Sequence, residues 1–163
     1  GNVVGTRGSV VPFFEKLIKD KTDHLPITHP EMTRFWITLQ EGVNFVLKNF
    51  ERMLGGEIFI PKIPSMRVVD LATSMAPALE QREVGIRPGE KLHEIMCPQD
   101  DSHLTLEFED HFVITPSIHY TSAGNRFTPN KIGEEGQPVK QGYEYNSGTN
   151  PEFLTVEALK TYR

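Results

Sequence analysis

Gly1-Asn2-Val3-Val4-Gly5-Thr6-Arg7-Gly8-Ser9-Val10-Val11-Pro12-Phe13-Phe14 is the stretch from which the fold is read. Val3-Val4 reads as a strand end and Gly5 to Ser9 as a glycine-bearing loop. Val10, Val11, Phe13, Phe14, Leu17 and Ile18 then recur at helical spacing. Pro12 is tolerated in a first turn, where the missing N–H would have no partner in the helix. Strand, glycine loop, helix is the order in which backbone amides can approach a phosphate or a cofactor. Neither GxGxxG nor GKS/GKT is present, and an ordinary strand-to-helix turn accounts for the same residues. The chain begins without Met and inside what reads as a buried strand, so a fragment of a longer protein is expected.

Downstream, Leu25-Pro26-Ile27-Thr28 and Thr33-Arg34-Phe35-Trp36-Ile37 are short extended pieces, the second rich in strand formers. Thr38 and Glu41 make a capping box. The helix they open carries Val43, Val46, Leu47, Phe50, Met53 and Leu54 on one face, and Gly55-Gly56 ends it. Glu57 to Ile60 follows as a strand closed by Pro61, then Met66 to Val68 as a brief extended piece. Asp70 to Leu79 reads as a second helix with Leu71, Ala72, Met75 and Leu79 as its apolar set and Asp70 favourably near its N-terminus. His103 to Phe108 and His111 to Ile114 predict a hairpin around Glu109-Asp110. Residues 121–150, rich in Gly, Asn, Pro and Ser, read as an arm or long loop, and Leu154 to Tyr162 as a last short helix.

One further stretch draws attention: Gly85-Ile86-Arg87-Pro88-Gly89-Glu90-Lys91-Leu92-His93-Glu94. The residue before a proline is pushed out of the helical region, so Arg87 is extended and the chain turns at Pro88-Gly89. One or two helical turns are expected over Lys91 to Met96. A guanidinium fixed at such a corner offers a two-pronged donor to a phosphate or a carboxylate. A surface turn whose arginine pairs with a nearby Glu is the alternative.

At 163 residues the chain is long enough for one domain, and its 37% hydrophobic and 24% charged residues are ordinary for a globular protein. A net charge of −5 argues against a broad nucleic-acid-binding face and leaves room for an anionic ligand held by a few placed arginines. The single cysteine, Cys97, excludes an internal disulfide and fits a reducing compartment. No apolar run approaches membrane-spanning length, and neither a membrane partner nor a signal peptide is expected. His24, His29, His93, His103, His111 and His119 show no HxxxH or HExxH spacing, so no metal site is expected. There is no GxSxG, and neither Tyr143 nor Tyr145 has a lysine four residues on. What remains is a set of arginines at turns and strand ends: Arg7, Arg34 and Arg87.

Four stretches in order carry a resemblance. They are Gly1 to Phe14, Met32-Thr33-Arg34-Phe35-Trp36-Ile37, Gly56 to Met66 and Gly85 to Glu94. Together they resemble the C-terminal half of the inverting UDP-N-acetylglucosamine 4,6-dehydratases, extended short-chain dehydrogenase/reductases of pseudaminic acid and flagellin glycan biosynthesis. The resemblance implies an α/β fold: the C-terminal part of an NAD(P)-binding Rossmann fold plus a small α/β substrate-binding domain. It divides the chain into the incomplete end of the Rossmann domain (1–24), a substrate-binding region (25–120) and a C-terminal arm with a short helix (121–163). It also implies a cytoplasmic, NADP-dependent lyase acting on UDP-N-acetylglucosamine, homo-oligomeric at full length, whose catalytic Tyr, Lys and Asp lie outside these residues. By the same resemblance Asn2 contacts substrate and Val3, Val4, Gly5, Thr6 and Arg7 line the nicotinamide end of the cofactor. Val10 and Thr28 approach the nucleotide, Arg34 and Arg87 grip the diphosphate, and Glu90 meets the ribose hydroxyls. A retaining dehydratase or a C4 epimerase of the same family is the neighbouring reading, and a non-catalytic sugar-nucleotide-binding module the rival from another class. Phe35 and Trp36 are expected in the core.

Overall fold

A computed structural model of the chain describes residues 2–6, 9–117 and 127–162. In chain order the elements are β1 (Asn2–Val3), α1 (Val10–Lys19), β2 (His24–Ile27), β3 (Thr33–Ile37), α2 (Leu39–Arg52), β4 (Ile58–Pro61) and β5 (Ser65–Arg67). After them come α3 (Val68–Met75), β6 (Glu80–Glu83), β7 (Ile95–Cys97), a 3-10 helix (Gln99–Leu104), β8 (Thr105–Glu107) and β9 (His111–Ile114). β10 (Gln137–Pro138), β11 (Tyr145–Asn146) and α4 (Val156–Thr161) complete the order. The mixture is α/β, as the sequence indicated. The chain forms two compact units that are discontinuous in sequence, where the sequence reading divided it into three continuous segments.

The first unit takes residues 1–39, 63–94 and 146–163. Its sheet has the order β1-β3-β5, with β1 parallel to β3 and β5 antiparallel to it. β2 pairs in parallel with β6. The core gathers Val11 and Phe14 from α1, Leu25 and Ile27 from β2, Trp36 from β3, Leu71 and Ala72 from α3 and Leu159 from α4. Phe35 and Trp36 are both buried, as expected of core residues. α1 carries no acid in its first turn, which leaves its positive end uncompensated, while Lys16 and Lys19 sit at the negative end. Asp70 stands in the first turn of α3 and accepts two bonds from Arg67, at 2.7 and 3.1 Å.

Two expectations of this unit are corrected. α3 stops at Met75 rather than reaching Leu79, because Ala76 precedes Pro77 and leaves the helical region (φ −148°). No element was expected over Glu80 to Glu83, which pairs in parallel with β2. Nor do Lys91 to Met96 form helical turns; the chain bends at Leu92 and His93 and enters β7 at Ile95. Its backbone groups are spent elsewhere. Thr33 N–H donates to the Leu92 carbonyl at 3.1 Å, and Ser147 N–H donates to the Glu94 carbonyl at 2.8 Å. The Glu94 N–H donates in turn to Ser147 Oγ at 2.9 Å.

The second unit takes residues 40–62 and 95–145. Its sheet has the order β10-β8-β9-β4. The expected hairpin is present as the antiparallel pair β8 and β9, with Leu106 opposite Val113, although His103 and Leu104 belong to the 3-10 helix. Leu106, Phe108, Val113 and Phe127 form an apolar cluster. Beside it lies a polar one. Arg52 is buried and its Nη2 donates to both oxygens of Asp110 (2.9 and 3.0 Å) and to Glu134 Oε1 (2.9 Å). Among the described residues no helix is long and apolar enough to cross a membrane.

Candidate nucleotide cleft

In the first unit a cleft of about 510 Å³ opens where α1 begins. Ser9, Val10, Pro12, Phe13 and Phe14 line one side, Pro26, Thr28 and Val68 another, and Val84, Arg87 and Glu90 a third. Each side follows from local sequence. Ser9 is the N-cap of α1, makes no side-chain cap bond and keeps a buried Oγ without a hydrogen-bond partner among the described residues. The cleft is therefore bordered by the positive end of a ten-residue helix and an unused hydroxyl, a combination suited to an anion.

The third side is a turn. Arg87, Pro88, Gly89 and Glu90 form it with Gly89 at φ +84°, the conformation that follows a proline in a type II turn and that glycine adopts without strain. The Glu90 N–H donates to the Arg87 carbonyl at 3.0 Å. Arg87 N–H donates to Glu90 Oε2 at 3.0 Å. The turn expected at Pro88-Gly89 is present, and it sets a guanidinium and a carboxylate on one rim.

Four of the six residues that sequence reading assigned to substrate thus share one cleft: Val10, Thr28, Arg87 and Glu90. Arg34 is elsewhere. Its Nη1 donates to the carbonyls of Thr33 (2.7 Å) and Leu92 (3.1 Å), and its Nε lies 3.3 Å from Glu94 Oε1. Asn2 is in β1, opposite Trp36, and its side chain lies outside what is described. Val3 ends that strand, Val4 and Gly5 turn, and Thr6 Oγ1 donates to the Val3 carbonyl at 2.9 Å. Arg7 lies outside the described residues. Sequence reading missed Ser9, Pro12, Phe13, Pro26 and Val84 as lining residues. Phe13 gave no signal in the sequence, where it shares the apolar spacing of α1 with Phe14; only the structure shows it 45% exposed beside buried Phe14.

Among the described residues no three His, Cys, Asp or Glu side chains gather to hold a metal. The cleft offers hydroxyl, guanidinium, carboxylate and helix-end groups, which bind and orient. It offers no nucleophile paired with a base.

An α/β unit with a cleft of this lining at a strand–loop–helix corner defines a class of proteins suited to an anionic ligand. The comparisons narrow it. A model of the polysaccharide biosynthesis protein family matches residues 1–116, and the chain belongs to that family. It is 62% identical over 159 residues to the UDP-N-acetylglucosamine 4,6-dehydratase (inverting) of Campylobacter jejuni serotype O:2, covering 98% of this chain and 48% of that protein. Its counterpart in serotype O:23/36 is 58% identical over the same shares. Among solved structures, Pen from Bacillus thuringiensis matches with a TM-score of 0.77 and 30% identity, over 99% of this chain and 47% of its own. The chain spans about half the length of the relatives it matches.

Proposed function

We propose that this chain is the substrate-binding portion of an NADP-dependent UDP-N-acetylglucosamine 4,6-dehydratase of the inverting kind. One observation carries the reading: Val10, Thr28, Arg87 and Glu90 converge on one cleft at the N-terminus of α1. In this reading Arg87 holds the diphosphate as a charge-assisted, two-pronged donor, supported by the end of α1 and the Ser9 hydroxyl. Glu90 accepts from the ribose hydroxyls through Oε1, its Oε2 being engaged by the Arg87 amide. Phe13, Pro26 and Val84 supply apolar surface for the base. Arg34 reaches the diphosphate only by sharing a guanidinium already paired with Glu94, and it keeps its assignment on the family resemblance.

The start of the chain fits one edge of a dinucleotide. Gly5 has φ +72° and, among the described residues, nothing within 4 Å of where a Cβ would stand, which leaves its backbone open to a ligand. When bound, NADP supplies acceptance and return of a hydride; this chain contributes the surface against which the sugar nucleotide is oriented. The proposal extends, on the same resemblance, to a lyase of pseudaminic acid and flagellin glycan biosynthesis, cytoplasmic and homo-oligomeric at full length.

The test is calorimetric titration of the purified chain with UDP, uridine and inorganic diphosphate at one salt concentration. UDP is expected to bind at least about tenfold more tightly than either part, since both halves of the cleft contribute. UDP binding no tighter than diphosphate would overturn the reading. The same preparation with UDP-N-acetylglucosamine and NADP should form no 4-keto-6-deoxy product, because its 163 residues hold no Tyr-x-x-x-Lys.

A further inference from the structure

Arg34 sits in a socket built by the first unit alone. Its side chain is 12% exposed. Nη1 donates to the carbonyls of Thr33 at 2.7 Å and Leu92 at 3.1 Å, and Nε lies 3.3 Å from Glu94 Oε1. A guanidinium carries donors on three nitrogens, and here only Nη2 has no partner among the described residues. The socket is itself fastened. The Leu92 carbonyl also accepts the Thr33 N–H at 3.1 Å. Ser147 fixes Glu94 at both backbone groups: its Oγ accepts the Glu94 N–H at 2.9 Å, and its N–H donates to the Glu94 carbonyl at 2.8 Å. Ser147 is fully buried, and its Oγ lies 2.7 Å from Thr33 Oγ1, which also meets His93 Nδ1 at 2.8 Å. One serine near the end of the chain therefore ties the strand that carries Arg34 to the segment that supplies its acceptors.

We infer that Glu94 and Ser147 are positioning residues of the nucleotide cleft, aiming Arg34 so that Nη2 is the nitrogen it offers to a phosphate of the ligand. The inference rests on the nucleotide reading and adds to it two residues that do not line the cleft. Arg34 adjoins that cleft in the fold. Val68, which lines it, donates its N–H to the Met32 carbonyl at 3.0 Å, and Leu92 follows the lining residue Glu90 by two positions. A long side chain loses much rotamer freedom when a ligand has to order it, and one already ordered by its own chain binds without that cost. The socket orients the guanidinium more than it neutralises it. Two of its three acceptors are uncharged carbonyls, and the one carboxylate stands at the longest of the three distances with its side chain 38% exposed, where water weakens the pairing. Charge for an anion is kept while its direction is fixed.

Calorimetric titration of the purified chain with UDP and with uridine separates aim from fold, since only UDP carries the phosphates that Arg34 would meet. Glu94→Ala should weaken UDP binding about fivefold and leave uridine binding within about twofold of wild type. Glu94→Gln keeps an acceptor for Nε and should regain most of the loss. Ser147→Ala, one step further from Arg34, should show the same UDP-selective loss, about threefold. The Arg34 Nε–H resonance of an isotope-labelled chain reports on the socket without any ligand, and it should exchange with water faster in Glu94→Ala than in wild type. Unchanged exchange, or a UDP-to-uridine preference in Glu94→Ala within about twofold of wild type, would overturn the inference. So would tighter UDP binding by Glu94→Ala, which would make Glu94 a competitor of the ligand. A wild-type chain with no preference for UDP over uridine would instead overturn the nucleotide reading, and this inference with it.

Discussion

The backbone amide of Arg87 donates to the carboxylate of Glu90 at 3.0 Å, and the amide of Glu90 donates back to the carbonyl of Arg87 at the same distance. The two residues therefore hold each other on one rim of the cleft, across a turn that needs the left-handed glycine Gly89. Glu90→Ala removes the side-chain half of that exchange and the proposed acceptor for the ribose together. UDP affinity should fall at least about threefold, and Glu90→Gln, which keeps an acceptor, should recover part of it. Equal affinities for all three proteins would remove Glu90 from the site.

Thr33 Oγ1 sits between His93 Nδ1 (2.8 Å) and Ser147 Oγ (2.7 Å). Ser147 is fully buried and also accepts the Glu94 N–H. Ser147→Ala strands that amide and shortens the hydroxyl chain, so it should cost about 1–3 kcal/mol in urea unfolding. A cost below about 0.5 kcal/mol would mean that the 92–94 segment is held by its other bonds.

Gly148 has no room for a side chain: a Cβ there would lie 2.6 Å from His93 Nδ1 and 2.7 Å from its Cγ. Gly148→Ala should displace the imidazole from Thr33. The His93 ring resonances are expected to shift and the melting temperature to fall by several degrees. Unchanged ring resonances would contradict this packing.

The polar cluster of the second unit predicts acid sensitivity. Burial works to raise the Asp110 carboxyl, but bonds from His111, Lys48 and Arg52 outweigh it and hold it well below the usual range. Hydrogen bonding from Arg52 lowers Glu134 in the same sense. Burial pushes His111 down, and its Nε2 is buried without a partner among the described residues while the ring stacks on Phe108 at 4.5 Å. All three groups bind protons more readily when unfolded, so stability falls as pH drops. The His111 contribution should be complete above about pH 6.5 and decline below it, and the carboxylates should add a steeper loss below about pH 4. Urea midpoints measured from pH 7.5 to 3.5 check this; a midpoint that holds or rises on acidification would contradict it.

Cys97 is buried, and burial, with Asp101 nearby, pushes its thiol up to about 12. The thiolate is the reactive form. Ellman's reagent should leave the native chain unlabelled and label it fully in urea. Fast labelling of the native chain would show that β7 opens readily.

Sequence periodicity found α1, α2 and the β8–β9 hairpin because apolar spacing and caps are local properties. It did not find β6, whose polar Glu80-Gln81-Arg82-Glu83 pairs with β2 along the backbone, with Gln81 Nε2 donating to Val69 and Thr73 of α3. It expected helical turns after Gly89, since nothing near Leu92 or Glu94 announces that Thr33 and Ser147 will take their backbone bonds. In the candidate site, Arg87 was legible from the Pro-Gly turn that follows it, whereas Glu90 came only with the family resemblance. Ser9 was not legible, because an unused cap hydroxyl is visible only once the cap is built. The side on which α2 would pack was equally hidden: the pattern shows an apolar stripe without saying what meets it.

The central claim is that the Arg87 corner grips a diphosphate. Calorimetric titration of UDP into wild type, Arg87→Ala and Arg87→Lys at one fixed salt concentration tests it most directly. Loss of a charge-assisted fork should weaken UDP binding about tenfold or more in Arg87→Ala. Arg87→Lys should regain only part, since an ammonium keeps the charge and loses the second prong. If both variants bind UDP within about twofold of wild type, Arg87 is a turn residue and the diphosphate lies elsewhere.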